Sequence, residues 1–165
     1  MTARRTGIAL AIVQVLLIGT LGLKLLADRA RLPRAWARTL PFDPSLPIRG
    51  RYVRLRLEVP LAAGSDRARA GEYRKVRLRT AGDRLQGVVD DDGPIRVRLD
   101  SSPSGLVAEL DDPVAFFIPE HIPDPSLRQP GEELWAEVTV PRRGPPRPIR
   151  LAVRRDEILT PLEIR

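Results

Sequence analysis

The run Gly7 to Ala27, GIALAIVQVLLIGTLGLKLLA, divides this chain into two parts that must fold by different rules. As a helix it spans roughly 31 Å, which matches the hydrocarbon core of a bilayer. Gln14 and Thr20 are its polar interruptions, and Lys24 lies close enough to one end for its ammonium to reach the interface. A buried helix of a soluble protein carries an amphipathic pattern, whereas this run is apolar almost all round. A cleaved secretory signal needs small residues directly after the apolar stretch. The best match, Ala35-Trp36-Ala37, lies beyond Pro33 and several arginines. The run therefore reads as a retained single-pass transmembrane helix in contact with membrane lipid. A short tail (1–6) precedes it, and a polar juxtamembrane stem (28–40) comes after it. Gln14, Gly19 and Gly22 are its candidate contacts with a partner helix of a multi-span membrane protein: an amide in lipid seeks a hydrogen bond, and glycines allow close backbone approach.

Orientation is read from two signals that oppose each other. Arg4 and Arg5 precede the span, while Lys24, Arg29, Arg31, Arg34 and Arg38 lie at or beyond its end, so counting positive charges favours a cytoplasmic C-terminal side. A short N-terminal tail before a large C-terminal domain is instead the layout of a signal anchor. The expectation adopted is a bacterial inner-membrane protein with its C-terminal domain outside the cytoplasm.

Beyond residue 40 the pattern changes to period two. Val53, Leu55, Leu57 and Val59 alternate with Tyr52, Arg54, Arg56 and Glu58, as in a half-buried strand that Pro60 ends. Similar short segments occur at Glu72–Thr80, Arg84–Asp90, Ile95–Asp100, Leu106–Leu110, Val114–Ile118, Leu134–Val140 and Ile149–Val153, with a short edge within Ile158–Ile164. Ala81-Gly82-Asp83 and Asp91-Asp92-Gly93 mark turns. With 17 prolines, all of them beyond the apolar run, a helical bundle is disfavoured. The expected fold is mainly β: residues 41–165 as a small antiparallel β-sandwich or partly open β-barrel. The segments Gly50–Leu57 and Gly71–Leu78 share the pattern G-x-Y-x-x-[LV]-x-L and read as neighbouring strands of like character.

Net charge is +7, nearly all of the basic residues being arginine. The arginines are scattered among acids and lack interleaved aromatics for base stacking, so no nucleic acid is expected as a partner. Anionic headgroups suit a chain that begins in a membrane better. The absence of cysteine excludes disulfides and thiolate metal sites, and no cofactor or metal is expected.

The order of a single span, a stem and then D-P-x-x-x-x-x-R-G-x-Y-V-x-L resembles the GDYXXLXY family of bacterial membrane-anchored proteins. The residues that carry it are Asp43, Pro44, Arg49, Gly50, Tyr52, Val53 and Leu55. The later Phe116-Phe117-Ile118-Pro119-Glu120 resembles a second family feature, and Trp135–Val140 with Ile149–Leu151 resemble its closing strands. Arg51 and Leu57 depart from the name-giving motif. The resemblance implies an anchored β-domain and no particular chemistry. From the residues alone, Asp43 can cap a turn before Pro44, Gly50 eases the strand entrance, and Tyr52 lies on the wet face. Leu55, Phe117, Pro119 and Glu120 complete the candidate interaction set.

The function expected is a non-enzymatic accessory or interaction module for another membrane protein. The first alternative is a membrane-tethered Ser–Lys peptidase, similar in layout to signal peptidases, with Ser45 as nucleophile and Lys75 as base. The second is an envelope ligand-binding domain, whose mark is a deep apolar pocket in the barrel. His121 is the only histidine, which makes histidine triads dependent on a loop residue and excludes histidine-rich metal sites.

Overall fold

The computed structural model describes residues 2–40, 52–63, 69–103, 105–119 and 121–164. The chain forms two compact units, residues 1–32 and 33–165.

The first unit is one helix, α1 (Thr2–Arg31). Residues 6–31 form a helix long and apolar enough to cross a membrane. Its apolar side chains point outward on every side, Leu10 being 58% and Ile18 73% exposed, so no single face is set aside for a core. The Thr20 hydroxyl donates to the Leu16 carbonyl at 2.6 Å, so this polar group is satisfied within the helix. Arg29 and Arg31 in the last turn complement the helix dipole. Pro33, which lacks an N–H and disfavours helical backbone at the preceding residue, stops it.

The second unit is built from ten strands: β1 (Arg34–Leu40), β2 (Tyr52–Pro60), β3 (Tyr73–Ala81), β4 (Arg84–Val89), β5 (Ile95–Ser102), β6 (Gly105–Leu110), β7 (Val114–Phe117), β8 (Glu133–Thr139), β9 (Arg147–Arg155) and β10 (Ile158–Pro161). The order β1-β4-β3-β5-β6-β2 returns to β1 through a β1–β2 pairing, so six strands close into a barrel. The mainly β expectation holds, and the barrel is closed. β8, β9 and β10 extend from β1, and β7 extends from β2. All named pairings are antiparallel except β1–β4, where Trp36 stands opposite Arg84.

Closure explains the one large departure from the expected organisation. Residues 34–40, stem-like in sequence, are β1. On one side this strand pairs with β8 from Arg34 to Arg38; on the other it meets β4 at Trp36 and β2 from Arg38 to Leu40. Its inward residues are Ala35, Ala37 and Thr39, all buried. Such small side chains suit a strand with pairing partners on both edges, but they give a weak hydrophobic alternation. That is why RAWARTL resembles a stem. The two G-x-Y segments are also not neighbours: β5 and β6 lie between β3 and β2 in the sheet order. What they share is phase, since Leu55 and Val76, at matching positions, are both buried.

The barrel interior is filled core. Leu55, Leu57, Val59, Val76, Leu85, Val97, Leu99, Ala108 and Leu110 are at most 1% exposed, joined by Ala136, Val138 and Leu151 from the extension. These apolar side chains pack against one another inside the barrel.

Candidate interaction surface

β8 is buried from Leu134 through Thr139 on both faces: Leu134, Ala136 and Val138 face the core, and arginine side chains lie against Trp135 and Glu137 on the other face. Its second face carries Trp135, Glu137 and Thr139 in alternation with Leu134, Ala136 and Val138. These residues meet outward side chains of β1 and β9 through register: Trp36 stands opposite Glu137, Arg38 opposite Trp135, Arg150 opposite Glu137, and Arg154 opposite Glu133. The result is a ladder of indoles, guanidinium groups and carboxylates. It includes both tryptophans of the chain.

Trp135 is 7% exposed because two guanidinium groups flank its ring, Arg84 at 4.4 Å and Arg154 at 5.4 Å from the centroid. Its indole N–H donates to Glu133 Oε2 at 3.1 Å. Glu133 also pairs with Arg38 at 3.2 Å and with Arg154 at 3.8 Å, and Arg38 bridges onward to Glu58 at 3.2 Å. Arg150 donates to Glu137 Oε2 at 2.6 Å while its guanidinium lies 5.7 Å from the Trp36 ring centroid. Isolated surface ion pairs contribute little, but here Glu137 and Glu58 are largely desolvated and Glu133 is shared by Arg38 and Arg154, which helps fix the aromatic rings.

Two clefts border this ladder and share Arg38 and Glu133. One, of about 270 Å³, is lined by Trp36, Arg84, Trp135, Arg154 and Glu58. The other, of about 410 Å³, is lined by Arg54, Arg128, Glu132 and the Pro130-Gly131 turn. Mixed polar and apolar walls of this kind suit a polar peptide segment or another planar polar group rather than a purely apolar ligand. The sequence carries a signal for the ladder: Glu133, Trp135 and Glu137 share one strand phase, and Arg150 and Arg154 share one on the next strand. Opposite charges at matching period-two spacing mark a cross-strand ladder.

The residues singled out from sequence are dispersed. Tyr52 stands opposite Phe117 across the β2–β7 pair, with ring centroids 6.1 Å apart and tilted by 58°. Arg54 lies 5.9 Å from the Tyr52 ring, and Phe117 is 76% exposed. Leu55 is core, 1% exposed, and lies in the wall of the larger cleft. Pro119 is half-buried after β7. Asp43, Pro44, Ser45, Arg49, Gly50 and Glu120 lie outside the described residues. Gly19 and Gly22 lie one turn apart on α1, each with open space where a Cβ would stand. Lys75 is exposed on the outer face of β3, opposite Arg96. His121 is exposed in the loop after β7.

The acidic turn after β4 is structural. Asp90 accepts from the Asp92 N–H at 3.0 Å and from Arg77 at 2.9 Å. That backbone hydrogen bond, then the Arg77 side chain, hold its carboxyl below its ordinary range. Among the described residues no group of three or more His, Asp or Glu side chains is gathered to hold a metal ion. Comparison with protein-family models, curated proteins and solved structures finds no match for this chain.

Proposed function

We propose that this protein is a membrane-anchored barrel that acts as a non-enzymatic interaction module for another membrane protein. The observation that carries the reading is α1: a helix apolar around its whole circumference, joined through only Leu32 and Pro33 to the first strand of a closed barrel. Such a helix is stable with its side chains in lipid, and a two-residue join tethers the barrel to it. The tryptophan–arginine–carboxylate ladder and its clefts supply a preorganised polar surface for a protein partner. On this reading the chain is a GDYXXLXY-type protein of the bacterial inner membrane, with its barrel on the extracytoplasmic side. The exposed position of Lys75 favours this reading over the peptidase alternative.

The test is purification of tagged full-length protein from its native membranes in mild detergent, with bound proteins identified. The expected result is one stoichiometric multi-span partner, lost when α1 is exchanged for an unrelated span or when Trp36 and Arg84 are both replaced by alanine. Recovery of the protein alone, or from the soluble fraction, would overturn the proposal.

A further inference from the structure

The connection from β8 to β9 reads Val140-Pro141-Arg142-Arg143-Gly144-Pro145-Pro146 and then enters β9 at Arg147. It begins where the chain enters the barrel. The Val140 N–H donates to the Pro33 carbonyl at 2.9 Å, Arg34 stands opposite Thr139, and Thr139 stands opposite Arg147. Leu32 and Pro33 together extend by about 7 Å at most. The root of this loop is therefore hydrogen-bonded to one of the two residues that join α1 to β1.

Arg142 and Arg143 are exposed and have no carboxylate partner among the described residues, whereas most arginines on the outer faces of the barrel are paired. Two acids lie close in the chain path: Asp28, whose carbonyl accepts from Leu32 N–H, and Asp83, whose carbonyl accepts from Trp36 N–H and whose carboxylate is engaged with Arg84 at 3.8 Å. The loop is also preorganised. Pro146 is fully buried and pins one end, Gly144 turns the chain at φ 85°, and Pro141 and Pro145 restrict the backbone between them. A stiff loop loses little entropy when its side chains engage a ligand. It carries no aromatic side chain on which a nucleic-acid base could stack.

We infer that the Arg142–Arg143 loop is a docking surface for anionic phospholipid headgroups. This rests on α1 being a membrane anchor. The two guanidinium groups face the phosphates beside the tether, where they set the barrel's orientation on the membrane.

The chain has no cysteine, so a single Pro145→Cys change gives a unique dye site in the full-length protein, and Ala81→Cys gives a second reporter near Arg84. Each labelled protein is placed in nanodiscs of neutral phosphatidylcholine, or with roughly one-third phosphatidylglycerol. Quenching by headgroup-spin-labelled lipid is then read. Quenching at residue 145 should be greater in the anionic discs, and the excess should vanish at about 0.5 M salt. Arg142→Gln and Arg143→Gln should each lower the docked-to-free ratio about fivefold, with an unchanged circular dichroism spectrum. Normal incorporation with equal quenching at both sites in both lipids would overturn this inference and leave the anchor standing. Failure of the chain to incorporate would overturn both. A dye response to a single-stranded oligonucleotide but not to anionic lipid would overturn it in favour of nucleic acid.

Discussion

Gly93 shows how a single residue sets a turn that sequence can name but not explain. The Asp91-Asp92-Gly93 pattern marks a hairpin, and glycine there suggests positive φ. The structural requirement is different: a Cβ at Gly93 would stand 2.6 Å from both the carbonyl carbon and oxygen of Val76. Backbone cannot yield as a flexible side chain can, so Gly93→Ala should destabilise the barrel by about 1–3 kcal/mol, measured by urea unfolding. Asp90 in the same turn makes a pH-dependent contribution. Its carboxyl lies below the ordinary 3.8 in the folded protein. The stability it adds is thus present above pH 3.8 and is lost as pH falls through the lowered folded value. Asp90→Asn should flatten the acid limb of the unfolding curve below that pH, and an unchanged acid limb would dismiss the contribution. The outer-face ladder is legible from sequence only in part. The charges and their spacing on β8 and β9 are visible there, but β1, which brings Trp36 and Arg38, has the composition of a stem.

At the scale of elements, β1 decides the fold. It pairs with β8, β4 and β2, so without it the barrel loses its closing strand and the extension loses its attachment. A chain beginning at Pro33 should fold and melt cooperatively, whereas one beginning at Pro41 should show neither near-ultraviolet circular dichroism nor a cooperative melt. Folding of the shorter chain would return residues 34–40 to the role of a stem. β2 and β5 are legible because Val53–Val59 and Ile95–Leu99 alternate strictly and each buries one face. β8 is legible as a strand but not as one buried on both faces. Trp135, Glu137 and Thr139 are polar or amphipathic, and tertiary contacts cover them: Arg84 and Arg154 over Trp135, Arg150 against Glu137, and the Arg147 carbonyl at Thr139. β1 is not legible because alanine and threonine in its inward positions carry little hydrophobic contrast.

For the whole molecule, the division into α1 and a barrel governs location. A charge in the middle of α1 costs about 3 kcal/mol on insertion. Leu17→Arg should therefore shift the protein into the soluble or degraded fraction on alkaline extraction of membranes, while the exposed barrel change Arg79→Gln should leave extraction unaltered. Retention of Leu17→Arg to the same extent as the parent chain would argue against a spanning helix. The sequence by itself determined the apolar helix, the mainly β character of the residues beyond it, and the faces of the strictly alternating strands, because each is a local periodicity in hydrophobicity. Tertiary structure alone decided that the barrel closes, that β1 closes it, and that Trp36, Trp135 and four arginines form one ladder. Those outcomes depend on which strands pair and in what register. Pairing between residues as far apart as Arg38 and Trp135 leaves no periodic trace in either segment.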